Sequence, residues 1–281
     1  MNFPSADGRV FLVGAMRAGT TSLYNYLAQH PDIFPSSQKE PRFFCHPSQP
    51  VSEQRAYESL FAGRTRERWT FEASTHYARF PKYQGVAQRI RETFPEARII
   101  YIVRSPVDRI ASAYLHWRAH GRERRGFDEA VFSEPSEYLD VSRYHMQLAQ
   151  YRQVFPPERI LILVFESFIT DTRATVRRVC EFLDIDPAFE PANAGQRFNE
   201  STRESEAGAV LAFLRRSGLH DRIPWRARRW AEGRLRRPVP ARASLVSVGA
   251  RTRIMEHLEE DLLQLKALLG DSISHWNLPY E

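Results

Sequence analysis

From Val10 to Leu23 the chain runs Val-Phe-Leu-Val-Gly14-Ala-Met-Arg17-Ala18-Gly19-Thr20-Thr21-Ser22-Leu: an apolar stretch, a turn with two glycines and one cation, then hydroxyl residues opening a helix. The chemistry these residue types serve together is anion binding. Backbone N–H groups of the turn and the donors of the first helical turn converge on one point, where the helix dipole also favours negative charge. A phosphate is the expected ligand. Gly14 and Gly19 have the separation of the phosphate loop G-x-x-x-x-G-K-[ST], but Thr20 stands where that motif has lysine. Arg17 is the local cation, so a nucleoside triphosphate with magnesium is poorly served. The competing reading is a strand-to-helix glycine turn that binds nothing.

A second segment bears on that choice. Ile99-Ile-Tyr-Ile-Val103 ends in Arg104-Ser-Pro, and Ile110, Tyr114 and Trp117 follow with helical spacing, which predicts another buried strand feeding a helix. In a parallel sheet ligands lie beyond the carboxyl ends of the strands, so Arg104 and the Gly14–Thr21 turn are expected to face one molecule. Ser112 falls about two turns into the second helix. An ATPase would place an aspartate at such a strand end to hold magnesium. Arginine ligates no metal but suits a phosphate fork. Two cationic sites without a metal-binding acid imply a nucleotide carrying phosphates at two places, whose transferring group needs no magnesium.

On these residues the chain resembles the sulfotransferases that use 3′-phosphoadenosine 5′-phosphosulfate (PAPS), in particular the heparan sulfate (Golgi-type) sulfotransferase domain and its bacterial relatives. The resemblance continues through His30-Pro-Asp-Ile, Lys39-Glu40-Pro-Arg-Phe-Phe44, Phe71-Glu-Ala-Ser-Thr-His-Tyr77, Tyr144 to Phe155, Arg159 to Glu166 and the tail at Ser274-His-Trp276. It implies that Arg17, Ala18, Gly19, Thr20, Thr21 and Ser22 hold the 5′-phosphosulfate, and that Arg104 and Ser112 hold the 3′-phosphate. It further implies PAPS as co-substrate, released as adenosine 3′,5′-bisphosphate, with no metal. Several relatives carry lysine at the position of Arg17. A second lysine common after the glutamate of the next strand is absent, because Ala73 follows Glu72.

The same resemblance makes Glu40, just before Phe43-Phe44, the first candidate for the base that deprotonates the acceptor, with Arg17 stabilising the leaving phosphate. His76 is the rival base, since cytosolic sulfotransferases use a histidine in a comparable region. A lone histidine of this kind has a structural reading as well. Glu72 is read as a strand-end acid paired with an arginine.

These side chains need a frame. Strands are expected at 9–14, 69–72, 98–103 and 159–165, and helices at 19–29, 83–94, 107–120, 142–155, 172–183 and 251–269. Alternating buried strands and helices imply an α/β fold, P-loop-like and three-layered, with a central mainly parallel sheet flanked by helices. The last helix has the clearest stripe, Ile254, Leu258, Leu262, Leu265 and Leu269, with Gly270 as its stop. Tyr144 is read as a core anchor beside Leu148 and Tyr151. With 281 residues, a single domain over 1–281 is expected.

Cys45 and Cys180 are too few for a disulfide framework, and Cys180 is expected to be buried with Val176 and Leu183. No stretch approaches about 18 apolar residues, and the opening lacks the form of a signal peptide, so the expected location is the cytoplasm. Three lysines against 37 arginines suggest bacterial, GC-rich codon usage. Residues 215–242 hold ten arginines against Asp221 and Glu232, a local +8 that leaves −2 for the rest of a chain whose net charge is +6. This stretch, with Trp225 and Trp230, reads as a partly helical cover over about 200–245, as a grip on an acidic acceptor, or as a peripheral contact with the inner membrane face. Nucleic acid is disfavoured, because no recognised nucleic-acid motif accompanies the charge. Loops at Ser133–Glu137 and Phe189–Gly195, with Phe198 and Asn199 near the nucleotide, are where a glycan, glycolipid or small-molecule acceptor would be selected. The alternatives are a P-loop kinase or NTPase, and a noncatalytic nucleotide-binding or membrane-associated protein.

Overall fold

The computed structural model describes residues 8–48, 50–192, 194 and 245–276, and the backbone of 205–207 and 236–238. The apolar runs become strands because neither face of them can meet water: β1 (Gly8–Gly14) and β4 (Arg98–Val103) are buried at every position after the first. With β2 (Ile33–Pro35), β3 (Trp69–Ala73) and β5 (Ile160–Val164) they form a five-stranded, all-parallel sheet in the order β2-β3-β1-β4-β5. β1 is central, paired through Leu12↔Ala73 on one side and Gly14↔Tyr101 on the other. The chain moves from one side of β1 to the other between β3 and β4, so the switch in strand order falls at β1, where open α/β sheets bind ligands beyond the strand ends.

Most expected helices are present: α1 (Thr20–Leu27), α3 (Val86–Thr93), α4 (Pro106–Ala119), α7 (Tyr144–Arg152), α9 (Thr172–Leu183) and α10 (Val248–Leu269). The helix expected at 83–94 starts only at Val86, because Gly85 sits at φ +68, outside the helical region. The C-terminal helix begins at Val248 rather than 251. Its stripe is buried at Ile254, Leu258, Leu262 and Leu265, Leu269 is half-buried, and Gly270 at φ +55 ends it. Unforeseen elements are short: β2, α2 (Val51–Ser59), α5 (Phe127–Phe132), α6 (Glu137–Asp140) and α8 (Phe165–Thr170). Glu137 thereby belongs to a helix rather than to the expected loop.

The Cα trace divides into two compact units, one of Met1–Ser105, Asp140–Phe198 and Leu258–Glu281, the other of Pro106–Leu139 and Asn199–His257. The first contains the parallel sheet. Its Tyr144, Leu148 and Tyr151 are buried as expected, and its α7 has a remote cap: Asp261 accepts from the N–H groups of His145 (2.9 Å) and Met146 (2.8 Å). Asp261→Ala is expected to lower the unfolding free energy by about 1 kcal/mol, the worth of a helix N-cap, with a smaller loss for Asp261→Asn, in urea titrations.

The second unit holds α4, whose Arg109 is buried and donates to the Tyr138 carbonyl (2.5 Å), and a short antiparallel pair, β6 (Ser205–Ala207) with β7 (Arg236–Pro238). The rest of the arginine-rich stretch, with Trp225, Trp230, Phe198 and Asn199, lies outside the described residues. Cys45 and Cys180 are free and buried, and burial pushes the Cys180 thiol up to about 11. Among the described residues no helix is long and apolar enough to cross a membrane.

Candidate functional site

The glycine bend follows β1 at the carboxyl end of the sheet. A Cβ on Gly14 would come within 2.9 Å of the Tyr101 ring and 3.1 Å of the Ala78 Cβ, so two neighbouring segments close directly on the backbone. Gly19 has φ +85 and Arg17 φ 70; a side-chain-bearing residue in the left-handed region marks a constrained bend. The bend is tied down by Ala15 N–H to the Ile102 carbonyl (2.8 Å) and Ala18 N–H to the Ala15 carbonyl (3.1 Å). α1 then starts at Thr20 with no capping side chain, so its first-turn N–H groups have no acceptor within the helix. Thr20 and Ala18 are buried, and Arg17, Gly19, Thr21 and Ser22 are half-buried. Donors without helical acceptors, beside a cation and in a cradle too tight for extra side-chain atoms, suit a phosphate or phosphosulfate oxygen.

Arg104 closes on this bend from the end of β4. Its Nη1 donates to the Arg17 carbonyl (2.8 Å), and its guanidinium lies 4.4 Å from the Phe165 ring centre. The Arg104 carbonyl accepts from the Tyr144 hydroxyl (2.7 Å), and the next N–H, of Ser105, donates to Glu166 Oε1 (2.9 Å). Glu166 Oε2 in turn accepts from Trp276 Nε1 (3.2 Å). The structure thus brings the two expected arginines together, and it gives Tyr144, Glu166 and Trp276 a positioning task at the strand end. Ser112 lies on α4 in the second unit, 1% exposed.

The two base candidates meet. Glu40, at φ 62, donates its N–H to the Ala73 carbonyl (2.8 Å) at the end of β3. Its carboxylate takes four donors: Lys39 Nζ (3.0 Å) and Thr75 Oγ1 (3.1 Å) on Oε1, Thr75 N–H (2.9 Å) and His76 Nδ1 (3.1 Å) on Oε2. Burial alone would raise the Glu40 carboxyl, but the His76 hydrogen bond and the Lys39 charge outweigh it and bring it down to about 2. His76 is lowered from 6.5, chiefly by burial and further by the charges of Arg79 and Arg42, against the raising influence of Glu40. At neutral pH the pair is therefore a carboxylate and a neutral imidazole. A carboxylate only accepts, so the ring proton sits on Nδ1.

Arg79 is 4% exposed, and its Nη2 contacts Met16 Sδ at 3.1 Å, which joins the turn bearing His76 to the glycine bend. Lys39, Thr75 and Arg79 carry no motif of their own; only adjacency to Glu40 and His76 marked them in the chain. Glu72 is fully buried among Tyr57, Tyr77 and Arg9, and neither of its oxygens has a hydrogen bond of normal geometry. Burial raises it to about 7, the Glu40 charge adding to that and the Tyr57 and Tyr77 hydroxyls and Arg9 partly offsetting it.

A family model described as the sulfotransferase family matches residues 9–87 and 51–191. Human bifunctional heparan sulfate N-deacetylase/N-sulfotransferase 3 is 25% identical over 206 residues, 66% of this chain and 23% of that protein. Human heparan sulfate glucosamine 3-O-sulfotransferase 6 is 26% identical over 194 residues, 65% of this chain and 53% of the relative. The chain thus spans about half the length, or less, of these curated relatives. Among solved structures, a sulfotransferase from Alicyclobacillus acidocaldarius superposes with TM-score 0.71 at 28% identity, covering 97% of this chain and 99% of that one. Mouse sulfotransferase SULT7A1 complexed with PAP shares the fold at TM-score 0.50 and 15% identity, over 98% of this chain and 89% of that one. With the parallel sheet, the glycine bend and the matched span taken together, this chain belongs to the sulfotransferase family.

Proposed function

We propose that the chain moves a sulfuryl group from PAPS to a hydroxyl, or as a second choice an amine, of a carbohydrate, glycolipid or small metabolite, in line and without metal. The observation that carries this reading is the Arg104 guanidinium bonded to the Arg17 carbonyl beneath a glycine bend at the switch in strand order. The PAP named in the mouse structure and the heparan sulfate named in the human relatives support the donor and the acceptor class. In this reading Arg17, Ala18, Gly19, Thr20, Thr21 and Ser22 bind the 5′-phosphosulfate, Arg104 and Ser112 bind the 3′-phosphate, and the Glu40–His76 pair serves the acceptor. The bend holds the donor for attack, and Arg17 with the α1 dipole neutralises charge gathering on the departing phosphate. PAPS supplies the sulfuryl group and the leaving phosphate; the protein supplies position and charge. Residues 1–281 act as one domain in the cytoplasm, with 215–242 gripping an acidic acceptor or the inner membrane face.

The test is calorimetric titration of the purified chain with adenosine 3′,5′-bisphosphate and, separately, with ATP and magnesium. Preference for the bisphosphate is the expected outcome, and preference for magnesium-ATP would establish the kinase or NTPase reading instead.

A further inference from the structure

The glycine bend and the Glu40–His76 pair serve opposite ends of the transfer: one seats the leaving phosphate, the other the acceptor. The sulfuryl group must pass between them, and Arg79 joins the two. It closes the turn that carries His76, and its Nη2 donates to Met16 Sδ (3.1 Å) in the bend, one residue before Arg17. A Cβ on Gly14 would stand 3.1 Å from the Ala78 Cβ, so turn and bend already touch at the neighbour of Arg79. Its charge is felt at the other end as well. Burial is the first cause that lowers the His76 imidazole, and Arg79 leads the charges that lower it further, ahead of Arg42.

The guanidinium is also held in advance of any reaction. Arg79 is 4% exposed, and α7 clamps the chain on both sides of it. The Tyr151 hydroxyl donates to the Tyr77 carbonyl (2.9 Å), while Gln147 accepts from the Phe80 N–H (2.8 Å) and donates to the Phe80 carbonyl (2.7 Å). A charged donor fixed in a water-poor place is the arrangement that stabilises charge in group transfer. The Met16 thioether is a weak acceptor, so an anionic oxygen is the stronger partner for the same donor.

We propose that Arg79 is a catalytic residue whose guanidinium binds an oxygen of the transferring sulfuryl group. This rests on the sulfotransferase reading above. In the step, the acceptor oxygen bonds to sulfur and passes its proton to the Glu40–His76 pair. The sulfur–oxygen bond to the 5′-phosphate breaks, and its electron pair leaves on adenosine 3′,5′-bisphosphate. Arg79 stays with the sulfuryl oxygens while Arg17 meets the departing phosphate, so the two arginines divide the charge.

PAPS and adenosine 3′,5′-bisphosphate differ by the sulfuryl group alone, so calorimetric titration with each, without acceptor, isolates this contact. Arg79→Met should bind the bisphosphate within about twofold of wild type and PAPS about 10- to 150-fold more weakly, the worth of a hydrogen bond to a charged group. Arg79→Lys should fall between, because it keeps the charge without the fork. Equal weakening of both nucleotides, or of neither, overturns the assignment; the first result would make Arg79 a brace for the bend. Should the methionine variant melt early, the lysine variant decides by the same comparison.

Release of labelled sulfate from PAPS to water, followed without acceptor, provides a second readout. It should slow about 10²- to 10³-fold in Arg79→Met, the cost of losing one oriented donor to developing charge. An unchanged rate refutes the contact with the sulfuryl group. A wild-type chain that prefers magnesium-ATP to the bisphosphate would sink the sulfotransferase reading instead, so the two failures are distinguishable.

Discussion

Arg104→Ala should weaken binding of adenosine 3′,5′-bisphosphate by about 30- to 5,000-fold, the equivalent of 2–5 kcal/mol for removing one partner of a desolvated charge contact. Arg104 is 8% exposed, so a phosphate it meets is largely out of water, where the attraction is least screened. The substitution acts twice. It removes the guanidinium, and it removes the bond to the Arg17 carbonyl (2.8 Å) that steadies the bend proposed to hold the other phosphate. Arg104→Lys should fall between wild type and alanine, because the charge remains while the planar fork, which can serve the Arg17 carbonyl and a phosphate together, is lost. Calorimetric dissociation constants for the three proteins, measured beside their melting temperatures, decide the point. An alanine variant that melts normally and binds within twofold of wild type would place the phosphate elsewhere.

Replacing Glu72 by glutamine should change how stability depends on pH, by about 3 kcal/mol between pH 4.5 and 8. Glu72 is wholly buried, with its carboxyl raised from 4.5 to about 7 by burial first of all. Below 4.5 the acid is protonated in both folded and unfolded chains. As pH rises from 4.5 towards 7 the unfolded chain ionises first, so stability is lost, and the loss is complete once pH passes the folded value of about 7. Glutamine cannot ionise, so the stability of Glu72→Gln relative to wild type should climb across that window and level off above it. Urea unfolding at half-unit pH steps measures the difference. A difference that does not vary with pH would mean that Glu72 is already ionised in the fold.

Much of the frame could be read from the chain because it is written in local terms. Apolar runs such as Ile99–Val103 are long enough to exclude any face from solvent, and they came out as β4 and its neighbours with boundaries within a residue or two. The stripe from Ile254 to Leu269 was likewise read correctly, save that the helix begins three residues earlier. Short elements escaped: β2 has three residues and α6 four, too few for any period to declare itself. Gly85 gives no sign in sequence that it breaks a helix rather than sitting in one, yet its φ is +68.

The site divides along the same line. Residue type and spacing were enough to mark Arg17, Gly19 to Ser22 and Arg104 as candidate anion contacts, since a turn between strand and helix is a local event and its cation travels with it; Ser112, Glu40 and His76 were candidates only through the family resemblance. That resemblance presented Glu40 and His76 as rivals, 36 positions apart in the chain and with nothing between them to say that they touch. Pairing of β2 with β3, continued by the Glu40 N–H bond to the Ala73 carbonyl, brings the two side chains to 3.1 Å, and Lys39 and Thr75 then occupy the remaining carboxylate lone pairs. Likewise Tyr144, read as packing alone, is found bonded to the Arg104 carbonyl, and Glu166 and Trp276 join the same strand end from chain segments 110 residues apart. The amino-acid order therefore determined which charges and donors the protein owns and which short segments present them. Which of them face each other, and hence which carboxylate is saturated and which imidazole keeps a lone pair, depended on the parallel pairing of strands distant in sequence, because hydrogen bonds and proton affinities respond to distances in space.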